Sequence, residues 1–280
     1  MNVELAEERI LVLKDRFTLE NAETRAWAKR TDAFGAFARI GGLLSKPKDE
    51  DFEVIYRERR LQPFWRLSTH TSYTYERKRE HRIKVGPEVQ SVAINNQIIP
   101  ATNKEAAVVA TELCKEEQRK EWLYDGLTKA QSSGLKSYLE FEANAISPEA
   151  LNDQTRMGVV VVPPQAKASF LTREVLTQSI PKIEADRILE EKIQVDAIDL
   201  YYRPVYAFRY RWQGKEAVVE FDAVTGDARA GGSTFETYMG KLIDKDFLLD
   251  AGIEAANMFL PGVNLAKIIV VKGLKIGTKA

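Results

Sequence analysis

The spacing of apolar positions changes along the chain, and these changes separate helical from extended segments. Near the N-terminus, apolar or small side chains recur at intervals of three, four and seven residues, which predicts a helix with one broad apolar stripe. These positions are Leu19, Ala22, Ala26, Ala33 and Phe37. Thr18 directly precedes the stripe and is expected to cap the start of the helix. Residues 1–45 are therefore predicted to be an N-terminal helical segment.

From Phe52 onward the apolar period falls to two. β-Branched and aromatic side chains that share one face are typical of a half-buried strand. These side chains are Trp65, Leu67, Thr69, Thr71, Tyr73 and Tyr75. A shorter extended stretch, VQSVAINN, follows the break at Gly86-Pro87. Residues 52–100 are predicted to form a first β module.

Residues 101–150 are predicted to be helical. Thr102 and Glu105 have the spacing of a capping box, in which each side chain satisfies a main-chain N–H at the start of a helix. The apolar positions that follow suit a helix whose solvent side is KEEQRKE; they are Val109, Leu113, Leu123 and Leu127. Ser147 followed by Pro148 is expected to cap a further helix.

The segment YRPVYAFRYRWQGKEAVVEFDAVTG, residues 202–226, predicts a β-hairpin. Aromatic side chains alternate along its first strand, and Gln213-Gly214-Lys215 can turn the chain. The segment from Asp222 to Gly226 predicts a tight turn, because Asp and Thr bond their own main chain and Gly accepts a positive φ. Turn formation is sufficient to explain why Asp222 and Asp227 occur here. The alternative interpretation is that one of them is a metal or substrate ligand, or a catalytic base.

An earlier segment repeats the pattern of this hairpin. LQPFWRLSTH aligns with YRPVYAFRYR, so that Pro63, Trp65 and Leu67 match Pro204, Tyr206 and Phe208. This repeat predicts an internal duplication. The expected fold class is therefore α+β, with two related antiparallel β modules, each preceded by helices, plus an apolar C-terminal segment. The second module covers residues 151–232, and the C-terminal segment covers residues 233–280.

The stretch PVY…QGKEAVVEFDAVTG resembles a PepSY-type module, whose strands run through a Y-x-V…G…V-x-V-D-A-x-T-G pattern. The similarity covers residues 181–230 and is echoed at 52–86. The resemblance implies a small α+β unit that inhibits or binds other proteins, as in family members attached to peptidases or membrane proteins. It implies no catalytic residues.

The amino-acid composition argues against several kinds of functional site. Lys plus Arg and Asp plus Glu each total 41, so net charge favours no class of partner. One cysteine and two histidines are too few for a zinc site of the Cys/His type. The chain lacks the usual phosphate-binding and hydrolase motifs. We therefore expect no cofactor, no metal and no enzymatic activity. The acidic N-terminus differs from a signal peptide, so we expect a cytoplasmic protein.

The segment 56–84 concentrates cations among aromatic side chains. The candidate contact residues are Arg57, Arg59, Arg60, Trp65, Arg66, Arg77, Lys78, Arg79, Arg82 and Lys84. Arginines for phosphates and rings for stacking favour single-stranded nucleic acid. Alternatively, this segment is a solvated sheet face whose charges pair across strands, as the interrupting Glu58, Glu76 and Glu80 indicate.

The C-terminal segment is apolar and glycine-rich, and Pro261-Gly262 divides it into halves too short to span a bilayer. Three interpretations compete: docking on the domain's own core, an oligomer contact, and a peripheral membrane contact through Lys267, Lys272 and Lys275.

The favoured function is that of a non-enzymatic subunit that binds or assembles through protein–protein contacts, with a protein partner or with itself. The alternative is a nucleic-acid-binding protein that uses residues 56–84. A third hypothesis is an enzyme that uses carboxylates, and it would need acidic side chains and histidines gathered in one pocket.

Overall fold

A computed structural model describes residues 2–35 and 47–231. Of these residues, 53% lie in strands and 21% in helices. The strands of the described part form one curled mixed sheet. They are β1 (Asn2–Leu5), β2 (Glu8–Leu13), β3 (Glu53–Lys84), β4 (Ser91–Ile94), β5 (Gln97–Thr102), β6 (Glu105–Asp125), β7 (Ala143–Ile146), β8 (Val160–Val161), β9 (Arg187–Trp212), β10 (Lys215–Asp222) and β11 (Ala228–Ala230).

The α-helices and the longer of two 3-10 helices in the described residues lie against this sheet. The α-helices are α1 (Leu19–Ala28), α2 (Arg30–Ala33), α3 (Pro148–Arg156) and α4 (Ala168–Ser179), and the 3-10 helices are Asp49–Asp51 and Ser133–Glu140.

Strands β3 and β9 form the centre of the sheet and pair antiparallel from Glu53↔Arg211 to Glu76↔Arg187. The other edge of β3 pairs with β8 and then with β6. The other edge of β9 pairs with β1 and β2 in parallel, and with β10 in an antiparallel hairpin. The pairing of β3 with β6 runs unbroken from Phe64↔Asp125 to Lys84↔Glu105. It therefore continues eight residues along β3 beyond Glu76, where the pairing with β9 stops at Arg187.

Three apolar clusters hold the helices to the sheet. The largest joins α3 and α4 to the middle of β3 and β9, and Trp65 and Leu171 lie in it. A second joins α1 to the aromatic face of β9 and β10. A third lies under the 3-10 helix Ser133–Glu140 and includes Phe64. Burial of this apolar surface is the main favourable contribution to folding.

Several local predictions are confirmed. The Thr18 side chain accepts a hydrogen bond from the Asn21 N–H at 3.3 Å, which caps α1. Ser147 caps α3 in the same way, with proline in the first turn. The chain reverses between β9 and β10 at Gln213 and Gly214, whose φ values are 49° and 71°. A two-residue turn with positive φ at both positions matches the twist of the flanking strands.

The predicted fold class is wrong. The described residues contain one predominantly β sheet, and they do not divide into two related α+β modules. The two similar segments are neighbours in this sheet, because Pro63 pairs with Tyr202 and Leu61 pairs with Pro204. Both segments carry large apolar side chains at matching positions because both lie in central strands, and a buried strand position favours large residues wherever it lies.

The helix predicted after Thr102 is also wrong, because residues 105–125 form β6. Asn103 and Lys104 have φ values of 54° and 63°, so they turn the chain between Thr102 and Glu105 where a capping box was expected. Apolar spacing alone did not separate the two conformations here. The unbroken ladder with β3 gives hydrogen-bond partners to the main-chain groups of this segment that face β3, and such tertiary pairing overrides local propensity.

The predicted N-terminal helical segment is correct only in its centre. Residues before Thr18 form β1 and β2, which pair in parallel with β9. In β2 the buried residues are Ile10 and Leu13, with Leu11 and Val12 of intermediate burial between them, so this short run shows no period-two pattern that would have predicted a strand. The end of the predicted segment, residues 36–45, and the apolar C-terminal segment, residues 233–280, lie outside the described residues.

Candidate functional site

All ten candidate contact residues lie on β3, but the structure does not gather them into one surface. Arg57 forms an ion pair with Glu23 of α1, Nη2 to Oε1 2.6 Å. Arg59 pairs with Asp15 at the same distance. Both cations therefore tie β3 to the N-terminal part of the chain, and their charge is matched locally.

Arg60 is fully buried. Its guanidinium contacts Glu58 and donates to Glu220 on β10 at 2.6 Å. Burial lowers the pKa of Arg60, while the charge of Glu220 acts in the opposite direction. A buried cation held by carboxylates is a structural element that a solvent-borne phosphate does not reach.

The aromatic side chains of the candidate surface are also buried. Trp65 is 1% exposed, and its Nε1 donates to the Ala166 carbonyl at 3.1 Å. Tyr73 and Tyr75 are each 2% exposed. Burial raises the pKa of Tyr73 to about 12, and a hydrogen bond to Glu116 is the main cause that raises the pKa of Tyr75 to about 12. These rings are not available to stack on bases.

Arg66 belongs to a charged cluster around a buried carboxylate. The Asp199 side chain is fully buried and accepts from Arg66 Nη1 at 3.1 Å and from Arg9 Nε at 2.8 Å. Arg66 also pairs with Glu121 on β6 at 2.9 Å. The Asp199 hydrogen bond and charge raise the pKa of Arg9. The cluster joins β2, β3, β6 and β9 and is internally compensated.

The remaining candidate cations lie near the end of β3. Arg77 Nε donates to Glu112 at 2.5 Å, and His81 contacts the other oxygen of the same carboxylate at 2.9 Å. Arg82 contacts Glu80 at 3.3 Å and Glu105 at 3.7 Å. The last three, Lys78, Arg79 and Lys84, are exposed and have no ion-pair partner within residues 2–35 and 47–231. Most of the predicted cations are thus neutralised by carboxylates of this chain.

The predicted turn at Asp222 is confirmed. Asp222 Oδ1 accepts from the N–H groups of Val224 and Thr225 at 2.9 and 3.0 Å, and Gly226 has a φ of 83°. Its other oxygen, Oδ2, accepts from Tyr138 at 2.5 Å and from Arg203 at 3.0 Å. The sequence predicted the turn but not this second role.

Arg203 extends the buried cluster to a further side chain, because its Nη2 donates to Gln62 at 2.9 Å. Burial raises the pKa of Tyr138. Asp222 has no free oxygen for a ligand, since this chain's own donors occupy both. The alternative role of Asp222 as a ligand or base therefore gains no support.

One groove on the surface of the described residues is shallow and open. It has a volume of about 400 Å³, and its lining includes Asp15, Arg59 and Gln154. Asp15 and Arg59 already pair with each other there. No group of three or more His, Cys, Asp or Glu side chains in the described ranges is placed to hold a metal ion.

The most distinctive open feature is the side of β6 that faces away from β3, which we call the outer edge. Strand β5 pairs with β6 only at Ala106 and Glu105. At the other end, the Leu123 carbonyl accepts from the Ser132 N–H at 3.0 Å. Between these points, the part of the chain that the structure describes supplies no strand to this edge. Unpaired edges are templates for strand addition.

The main-chain groups that point outward can be assigned. Alternate residues of a strand direct their N–H and C=O groups to opposite sides. The Leu123 carbonyl points to the outer edge, and the β3–β6 register has no shift. The outward-pointing residues are therefore Ala107, Val109, Thr111, Leu113, Lys115, Glu117, Arg119 and Glu121.

The outer edge has two chemically different halves. Residues 115–121, KEEQRKE, carry six charges, and charged side chains protect an edge against pairing. Residues 107–114, AVVATELC, carry one charge, on Glu112. In this half Val109 and Leu113 are 69% and 71% exposed. An unpaired edge with exposed apolar side chains and little charge is suited to accept another strand. The sequence prediction missed this edge because it assigned the segment to a helix, and in AAVVATEL only Val108, Val109 and Thr111 are residue types enriched in strands.

No protein-family model, no curated protein and no solved structure matches the chain. The resemblance to a PepSY-type module accordingly stays a prediction. No helix within the described residues has the length and apolar character needed to cross a membrane.

Proposed function

We propose that this protein is a non-enzymatic binding or assembly subunit whose protein partner adds a strand to the outer edge of β6. The observation that carries the proposal is the nearly uncharged stretch from Ala107 to Cys114, whose outer edge pairs with no strand of residues 2–35 and 47–231. Its main-chain N–H and C=O groups supply affinity in strand addition, and its side chains supply specificity.

The exposed side chains support this function. Val109 and Leu113 lie on the same face of β6, two pleats apart, and an added strand would cover both. Covering apolar surface contributes roughly 25 cal/mol per Å². Nucleic-acid binding through residues 56–84 remains a prediction that the described geometry does not favour, because most of the cations are paired and the rings are buried.

Site-specific photocrosslinking tests the proposal. The full chain carries benzoylphenylalanine either at Val109 or, as a matched control, at Met157, which is also 69% exposed. Irradiation in cells is expected to give a discrete protein adduct from position 109 and none from position 157. Equal labelling from both positions, or no adduct from position 109, would contradict the proposal.

Two proline variants make this test specific for strand addition. Thr111→Pro removes an N–H that points to the outer edge, and a proline of this kind leaves the pairing with β3 intact. It is expected to abolish the adduct from position 109. Arg119→Pro removes an outward N–H in the charged half of the same edge and is expected to leave the adduct unchanged. Loss of the adduct in both variants would point to a structural effect and against the proposal.

A further inference from the structure

We infer that the added strand is β6 of a second copy of this chain, paired antiparallel about a two-fold axis at Thr111. This inference rests on the proposed function and names its partner. An antiparallel pair of identical edges is closed and self-complementary, as two-fold interfaces require. The free stretch of the outer edge has the features that such self-pairing needs.

The ends of the free stretch set the position of the axis. On one side β5 occupies the edge up to Glu105 and Ala106. On the other side the charged run begins at Lys115. The midpoint between Ala107 and Lys115 is Thr111. An axis there places Ala107 opposite Lys115 of the second copy and uses the whole free stretch in both chains.

The side chains also fit this register. With the axis at Thr111, Val109 lies opposite Leu113 of the second copy, and the symmetric pair repeats the contact. Val109 and Leu113 are each about 70% exposed in the single chain. In the dimer these two side chains from each copy would form one apolar stripe of four across the new ladder. Directly opposed apolar side chains on neighbouring strands stabilise a sheet.

Neighbouring registers are less favourable. An axis at Ala110 places Leu113 opposite Ala107 and Val109 opposite Thr111, so the two large apolar side chains do not meet across the new ladder. An axis at Glu112 places Val109 opposite Lys115 and sets two Glu112 carboxylates against each other. Like charges directly opposed destabilise a strand pair. Of these three axes, the one at Thr111 places Val109 opposite Leu113 and does not set the two Glu112 carboxylates directly against each other.

The native cysteine permits a direct test of the register. The even-numbered residues of β6 do not exchange hydrogen bonds across the new ladder, and such opposed pairs lie about 4.5 Å apart at Cα, within the range of a disulfide. With the axis at Thr111, Val108 lies opposite Cys114 of the second copy. Val108→Cys in the full chain is therefore expected to form a disulfide-linked dimer under mild oxidation by copper phenanthroline.

Matched variants distinguish the alternatives. Ala106→Cys would report an axis at Ala110, and Ala110→Cys an axis at Glu112; both are expected to remain monomeric on a non-reducing gel. Val108→Cys combined with Cys114→Ser is expected to lose the dimer. Within one chain, positions 108 and 114 are about 20 Å apart along the strand, so they cannot bridge each other.

A reversible measurement complements the cross-link. Thr111→Glu places a carboxylate beside Lys78 of the same chain, its neighbour on β3, so the fold retains a favourable pair. Across the axis it opposes a second Glu. Analytical ultracentrifugation should show self-association weakened by about fivefold, which corresponds to ~1 kcal/mol.

The results separate the inference from the proposed function. A dimer from Val108→Cys alone supports the inference. No dimer from this variant, or equal dimers from all three cysteine variants, overturns it. A position-109 photoadduct that contains a different protein, or residues 233–280 of the same chain, also overturns it; the adduct with a different protein would leave the proposed function standing.

Discussion

Arg203 on β9 and the buried Asp222 on β10 form an ion pair, with Nη1 and Oδ2 3.0 Å apart. The same carboxylate bonds Tyr138 through Oδ2 and the turn after β10 through Oδ1. One side chain thus joins a hairpin turn, a central strand and a 3-10 helix. Since the group is buried and saturated, its role is to position these elements relative to one another.

Asp222→Ala should destabilise the fold by about 3 kcal/mol, the low end of the range for breaking a buried pair, because it leaves the partly buried Arg203 guanidinium without its carboxylate. Asp222→Asn should cost less, since the amide oxygen still accepts from the turn. Urea denaturation followed by tryptophan fluorescence measures both. The exposed Asp227 provides the control, and Asp227→Ala should cost about 0.5 kcal/mol or less. Equal decreases in the free energy of unfolding for Asp222→Ala and Asp227→Ala would show that the ion pair does not stabilise the fold.

Gly126→Ala should destabilise the protein by roughly 1–3 kcal/mol, the range typical of overpacking. A Cβ at this position would lie 2.4 Å from the Pro63 carbonyl oxygen, which the Gly126 N–H itself bonds at 3.1 Å. Gly134→Ala is the matched control, because its Cβ would have no neighbour nearer than 3.8 Å. Thermal melting compares the two. A wild-type melting temperature for Gly126→Ala would mean that this close approach does not exist.

Arg77→Met should raise the pKa of Glu112 toward its ordinary value of 4.5, because the hydrogen bond from Arg77 is the main cause that lowers it. Carbon-detected NMR of the carboxyl group measures the titration. Because the pKa of Glu112 is lower in the folded protein than in the unfolded chain, the pair with Arg77 stabilises the fold fully above pH 4.5. This stabilisation is lost as the pH falls through the lowered pKa of Glu112.

The acid side of the stability curve provides the check on this pair. Wild type should lose stability more steeply than Arg77→Met as the pH falls below 4.5, while the two should differ by a constant amount near neutrality. An unchanged Glu112 titration in Arg77→Met would contradict the contact.

Thr111→Val should strengthen self-association of the full chain, because it extends the apolar stripe of Val109 and Leu113 across the proposed axis. We expect a tightening of up to about fivefold by analytical ultracentrifugation. Thr177→Val is a control with an exposed threonine on α4, away from the outer edge, and should leave the association constant unchanged. Weaker association of Thr111→Val would place the axis elsewhere.

Local elements were predictable where one residue's chemistry decides the backbone. Thr18 and Ser147 cap helices because their hydroxyls accept N–H groups that the helix leaves free. Gln213-Gly214 and the Asp222 turn were predictable because only a few residue types suit those conformations. The aromatic alternation from Tyr206 to Trp212 also identified a strand whose rings face inward.

The pairing and exposure of the candidate residues could not be predicted, because both depend on neighbours that are distant in sequence. The sequence suggests a basic patch that includes Arg57, Arg59 and Arg66. In the fold, carboxylates from other segments of the chain neutralise each of these three cations. The outer edge of β6 was missed for the same reason. Whether a strand is paired on both sides is a property of the sheet and cannot be seen in the strand itself.

The sequence by itself determined the capped helices, the tight turns and the alternating strands, because these follow from each residue's preferred dihedral angles and hydrogen bonds. Only the tertiary structure decided that residues 105–125 form a strand, that two similar segments are neighbours in one sheet, and which cations are neutralised. The physical reason is that strand pairing and ion pairing join residues far apart in the chain. Their free energy appears only when the sheet brings those residues together.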